Sequence, residues 1–214
     1  MFQFELAGKS LNLDIKNCFR PNLTTQLILN SALRLIAQKG KNFESVLELG
    51  CGSGAISIYL AKYGYCDNIV GLSLSDISIE AVRLAEINFK ENVDDHTSFN
   101  LEFKAGKCFD PWNGNKFDLI INDISAVSDE IAKISNWFDY APCDAGIDGT
   151  DNTIKLIETA GNFLKKGGIM IFPVLSLSNV DKLNDFLLST GHKVNLLECQ
   201  KWPLPASMLD MHRT

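Results

Sequence analysis

The stretch VLELGCGSGAISIYLAKYG, which begins at Val46, constrains this chain more than any other. An apolar run ends in an acid and three alternating glycines, and an amphipathic segment follows at once. In physical terms this is a strand, a turn of bare backbone and the start of a helix. Gly50, Gly52 and Gly54 let the backbone turn sharply, or approach a ligand where a Cβ would collide. The N–H groups of the helix start then face the crevice at the carboxyl ends of the strands. Such a unit cradles a nucleotide-like cofactor. Gly50, Gly52 and Ala55 also meet the relaxed dinucleotide pattern G-x-G-x-x-G/A. The turn alone therefore also admits a nicotinamide-dependent oxidoreductase, or a strand–helix turn with no ligand.

The rest of the chain is organised around that unit. FQFELAGKSLNLDI alternates on both sides of Ala-Gly-Lys, which predicts a β-hairpin over residues 2–15. FRPNLTTQLILNSALRLIAQKG predicts a helix capped by Asn22, Thr24 or Thr25 and ending at Gly40. Short apolar runs at 46–49, 69–74, 99–103, 119–121, 169–174 and 194–197 are separated by helical patterns, clearest at 79–91 and 152–164. This alternation implies parallel strands joined by right-handed crossovers, an α/β doubly wound, mostly parallel sheet. No internal repeat or low-complexity linker interrupts it. Residues 1–40 read as a hairpin-and-helix cap on a core of 41–214, and the closing KWPLPASMLDMHRT, with two prolines, reads as loop.

Composition narrows the functional classes. A chain of 214 residues, 46% hydrophobic, can bury one core. No apolar run approaches the roughly 18–20 residues of a membrane span, and MFQFELAGKS lacks the features of a signal peptide. The cytoplasm is the expected setting, with no membrane partner. Cys18, Cys51, Cys66, Cys108, Cys143 and Cys199 include no C-x-x-C pair and read as free thiols. His96, His192 and His212 form no partner pattern with them, so neither a cysteine nucleophile nor a metal site is expected. A net charge of −6 without a basic run favours a protein or small-molecule partner, although RNA is not excluded by charge alone. The oligomeric state is left undefined.

The segment after the glycine turn separates the nucleotide readings. IVGLSLSDISIEAVRLAEINFKEN puts Asp76 at the end of the second core strand, where an acid accepts hydrogen bonds from ribose hydroxyls. DISIEAVRLAEIN, with Ala81, Ala85 and Asn88, resembles the D-x-S-x-x-A-x-x-x-A-x-x-N helix of class I S-adenosylmethionine-dependent methyltransferases. LELGCGSG resembles their first motif, and FDLIIND and LKKGGIMIF resemble their fourth and fifth strands. CFRPNLTTQLIL, and APCDAGIDGTDNTIKLIETAGNFLKKGG with its Pro142, Gly146, Asp148 and Gly149, are similar to the group that methylates a glutamine of release factors or acts on ribosomal proteins. The likeness runs over about residues 17–200.

The resemblance implies a Rossmann-like fold, S-adenosylmethionine as cofactor, and methyl transfer. It assigns Glu48, Gly50, Cys51, Gly52 and Gly54 to the methionine end of the cofactor, and Asp76 with Ile77 to the ribose. Lys107 and Cys108 fall to the adenine, Asn122 to the boundary of cofactor and acceptor, Asn122 and Asp123 to catalysis, and Ser125 and Trp137 to the acceptor. Ser73 would meet the ribose in a shorter turn, but the spacing to Asn88 selects Asp76. Trp112 reads as packing. Two departures stand out. The glutamine-modifying enzymes end their fourth strand in Asn-Pro-Pro-Tyr, where a proline carbonyl and the ring hold a planar amide; here the residues are Asn122, Asp123, Ile124 and Ser125. Asp123 suits an amine-type or other deprotonatable acceptor, or it caps a helix beginning in DISAVSDEIA; the sequence leaves both open. Gly106-Lys107 stands where many members carry Gly-Asp, and an ammonium cannot accept from the adenine amino group. Backbone groups of Lys107 and Cys108 would replace that acid. A non-catalytic methyltransferase-like binding subunit shares every motif except turnover.

Overall fold

The computed structural model describes residues 1–39, 43–65, 69–135 and 145–203. β1 (Phe2–Leu6) and β2 (Lys9–Leu13) pair antiparallel. Their turn residues Ala7 and Gly8 have φ of 49° and 74°, the pair of positive values that a two-residue hairpin turn requires. α1 (Leu23–Lys39) follows, capped by Asn22, whose Oδ1 accepts from Thr24 N at 2.8 Å and Thr25 N at 3.3 Å.

Five strands then form one parallel sheet: β3 (Ser45–Leu49), β4 (Gly71–Asp76), β5 (Asn100–Ala105), β6 (Phe117–Asn122) and β7 (Leu164–Ile171), in the order β5-β4-β3-β6-β7. The crossovers carry α2 (Ala55–Lys62), α3 (Ile79–Asn92), α4 (Asp129–Ile134) and α5 (Asp151–Ala160), with α6 (Val180–Ser189) after the last strand. Side-chain alternation along the strands divides the core in two. Val46, Leu72, Leu119 and Ile121 pack with α1, α2, α3 and the hairpin on one face. Leu47, Leu49 and Ile120 pack with Trp112, Leu156 and Ala160 on the other. Helices cover both faces, as a doubly wound sheet demands.

The hairpin is not a separate body. Phe4, Leu11 and Leu13 belong to the same apolar cluster as β3 and α2. Asn88 of α3, fully buried, donates to Asp14 O at 2.9 Å and Ser53 O at 3.0 Å, and accepts from Asp14 N at 2.8 Å. One amide thus ties the end of the hairpin to the glycine turn.

Several boundaries differ from the sequence expectation: β4, β5 and β6 are displaced or extended by one or two residues, and the larger differences lie near the C-terminal side. The helix expected over 152–164 stops at Ala160, because Phe163 O is drawn into the ladder by Phe117 N at 2.8 Å. β7 consequently starts at Leu164 and ends at Ile171, short of the expected residue 174. The apolar run 194–197 forms no strand, and Val194 and Leu196 are 49% and 83% exposed. Arg34 of α1 donates to Leu197 O at 3.3 Å and lies 3.8 Å from Glu198. Side-chain bonds to a helix, with Leu197 against the core, hold this segment in place of a strand ladder. Among the described residues no helix is long and apolar enough to cross a membrane.

Candidate active site

The strand order reverses at β3: the chain runs outward through β4 and β5, then returns to the other side for β6 and β7. Ligands of open α/β sheets bind at such a point, beyond the carboxyl ends of the strands. A cavity of about 680 Å³ lies there, within the roughly 300–1,000 Å³ typical of ligand pockets. Its walls come from Phe19 and Asn22 ahead of α1, from Gly50 and Gly52, from Asp76 and Ile77, and from Lys107 and Cys108. Asp123 and Ser125 close it after β6, and Trp202 contributes from the C-terminal side.

The three glycines do different work. Gly50, at φ 70°, lies so close to the loop after β6 that an added Cβ would stand 2.9 Å from Ile124 Cγ1 and 3.2 Å from the Asp123 carbonyl carbon. It is this contact that lets the Asp123 loop rest on the turn. Gly52, at φ 50°, lines the cavity, and a Cβ built on it would stand in ordinary contact with Cys18 Sγ and Phe19 O, both at 3.7 Å. Gly54 is a packing residue: its Cβ would meet Ile58 Cδ1 at 3.1 Å and Ala85 Cβ at 3.2 Å, and it lines no part of the cavity.

Three carboxyls flank the turn. Glu48, 1% exposed on β3, accepts from Ser57 N at 2.9 Å and from the Ser57 hydroxyl. Burial lifts its pKa to about 8 against the pull of those bonds. It lines a water-sized pocket together with Cys51, Ser53, Thr25 and Asp123. Asp76 accepts from Gly52 N at 3.0 Å and from Ser78 N at 2.9 Å, linking the turn to the start of α3. Burial raises its pKa, and the N–H groups of Ser78, Gly52 and Ile77 oppose the rise. Ser73, its rival for the ribose, is buried in mid-strand. Asp123 is half-buried and accepts from Thr25 Oγ1 at 2.8 Å; loss of hydration raises its pKa to about 7, with that hydrogen bond pulling down.

Asp123 caps no helix. α4 begins six residues later at Asp129 and is capped by Ser128, whose hydroxyl accepts from Ile131 N. Asn122 is 1% exposed; its Oδ1 accepts from Ile124 N at 3.1 Å, and its Nδ2 has no partner among the described residues. Ser53 Oγ is likewise buried and unpartnered. Burial pushes the thiols of Cys18, to about 12, and Cys51 well above the ordinary range, so neither is a nucleophile. Trp112 is core, its Nε1 donating to Ser75 Oγ at 2.9 Å. Trp137 lies outside the described residues.

Sequence reasoning missed Thr25, which enters the site from α1, and Trp202. It also left Gly146, Asp148 and Gly149 without a role. Asp148 accepts from Thr150 N at 3.1 Å and the Lys182 ammonium at 2.9 Å, while its carbonyl accepts from Asn179 N at 2.8 Å. Gly149, at φ 76°, sits where a Cβ would be 2.7 Å from Ser128 N. This turn pins the starts of α4, α5 and α6 together behind the cavity.

A family model described as a methyltransferase domain matches residues 41–185. The chain belongs to the S-adenosylmethionine-dependent methyltransferases. A putative protein N5-glutamine methyltransferase of Methanocaldococcus jannaschii is 32% identical to it over 96% of this chain and 95% of that one. A release factor glutamine methyltransferase of Clostridium acetobutylicum is 28% identical over 87% of this chain, which spans only 65% of that protein's length. Among solved structures, a ribosomal protein L11 methylase from Lactobacillus delbrueckii superposes with a TM-score of 0.62 over 90% of this chain and 82% of that one, at 19% identity, a likeness of fold. The nicotinamide-dependent and non-catalytic alternatives give way to a methyltransferase. Its cavity fits the cofactor: Gly50, Gly52 and the acid Asp76 at the end of β4 line it, and the adjoining small pocket holds Glu48 and the buried, unpartnered hydroxyl of Ser53.

Proposed function

We propose that the enzyme methylates an amine, or another group that must lose a proton, on a protein or small molecule, with Asp123 as the proton acceptor. One observation carries this reading: Asp123 lines the cavity beside the glycine turn, and its carboxyl is bonded to Thr25 and caps none of the described helices. S-adenosylmethionine supplies, when bound, an electrophilic methyl on a sulfonium, so the protein's task is mainly alignment and proton removal. Glu48 and the Gly50–Gly52 turn would hold the methionine end, Asp76 and Ile77 the ribose, and the backbone of Lys107 and Cys108 the adenine. Asn122 Nδ2 offers a donor at the boundary with the acceptor, and Ser125 borders it. A protonated amine would give its proton to the Asp123 carboxylate, which would free its lone pair for the methyl that the cofactor supplies; the extra proton on the methylated nitrogen would be lost to solvent. Residues 1–40 act as a cap that completes the wall of a core comprising 41–214. A cytoplasmic setting accords with the thiols of Cys18, Cys51 and Cys199, which form no disulfide among the described residues.

A second reading is favoured by the archaeal relative, whose name gives protein glutamine as the acceptor. The two separate on Asp123→Asn. As base, Asp123 contributes about 10²-fold or more, so the variant should lose that much incorporation of labelled methyl into a cell extract while binding S-adenosylmethionine normally. Unchanged incorporation, or N5-methylglutamine as the product by mass spectrometry, refutes the amine reading.

A further inference from the structure

We infer that Thr25 is a positioning residue: its hydroxyl fixes one oxygen of Asp123 and leaves the other for the acceptor. The inference rests on the reading of Asp123 as proton acceptor. Thr25 lies in the first turn of α1 and is 3% exposed. Its Oγ1 accepts from Asn22 N at 3.3 Å while Asn22 Oδ1 accepts from Thr25 N at 3.3 Å, a reciprocal box at the helix start. That box sets the side-chain rotamer. A hydroxyl has a single proton, and this one goes to Asp123 Oδ2 at 2.8 Å, across 98 residues of chain. Among the described residues Oδ1 accepts no hydrogen bond, and Asp123 lines both the large cavity and the small pocket that adjoins it.

The consequence is chemical as well as geometric. A donor aimed at a carboxylate favours its charged form, so Thr25 opposes the burial that would keep Asp123 protonated and idle as a base. The other ionisable groups around this carboxyl are Glu48 on β3, Asp76 at the end of β4, Arg20 ahead of α1 and Lys107 after β5. The Thr25 hydroxyl bonds the carboxyl directly and pulls its pKa down against the burial. The N-terminal cap would thus contribute to the proton step as well as to packing.

The test reads Asp123 and the reaction separately. Carbon-13 NMR of the carboxyl follows Asp123 in the whole protein, and labelled S-adenosylmethionine with cell extract gives methylation rate against pH. Thr25→Val should raise the Asp123 midpoint by about one pH unit, and the acidic limb of the rate profile should move with it. Thr25→Ser should restore both. An unmoved Asp123 midpoint overturns the inference. A midpoint that moves while the rate profile stays fixed also overturns it, and places the fault in Asp123 as base, since the bond itself was then real. If valine prevents folding, the unmutated protein still decides: the Thr25 methyl resonance must titrate with Asp123, and a signal constant between about pH 5 and 9 overturns the inference.

Discussion

Replacing Glu48 by glutamine should make the ligand-free enzyme more stable in alkali and leave it nearly unchanged in acid. Glu48 is 1% exposed, with Ser57 N and Oγ as donors, and burial carries its pKa from 4.5 to about 8. Below pH 4.5 the folded and unfolded chains both hold this proton. Between 4.5 and 8 only the folded chain holds it, so stability falls as pH rises, by about 1.4 kcal/mol per pH unit. Above 8 the full loss has accrued, at most about 5 kcal/mol. Glutamine has no proton to lose and keeps an oxygen for the Ser57 donors. Urea unfolding of both proteins at pH 5 and pH 9, without cofactor, isolates the effect, because Asp123 and Asp76 titrate in both. Several kcal/mol of added stability in the variant at pH 9, and little difference at pH 5, are expected. Equal dependence on pH in the two proteins would refute the account, since Glu48 would then be ionised in the fold at little cost.

Gly149→Ala should destabilise the fold by about 2–4 kcal/mol, from the strain of φ 76° and a Cβ set against Ser128 N and Val127 C; an unaltered urea midpoint would contradict it. Asp76→Ala should weaken S-adenosylmethionine binding by about 1.5–3 kcal/mol by calorimetry, through the lost bonds to a charged group and the released Gly52 N–H. A like effect from Ser73→Ala, with none from Asp76→Ala, would show the ribose acid to be misassigned.

Local chemistry made much of this protein legible before folding. The strand–turn–helix at Glu48 to Gly54 depends on residues next to one another, because only bare backbone makes that turn. The hairpin and the alternation of strands with helices are also written in short-range periodicity. Where neighbours in space are not neighbours in sequence, the sequence was silent. Asp123 could be a cap or a base by every local criterion. The tertiary structure excludes the cap by starting α4 at Asp129 under Ser128, and it brings Thr25 to the carboxyl from 98 residues away. Gly50 and Gly54 look alike in a motif, yet one accommodates the loop after β6 and the other a helix. The run 194–197 has the apolar content of a strand, but whether a strand forms depends on a partner edge. Arg34 on α1 holds it elsewhere. Turns and periods are encoded by adjacent residues; the state of a buried acid, and which glycines line the cavity, are set by what the fold packs against them.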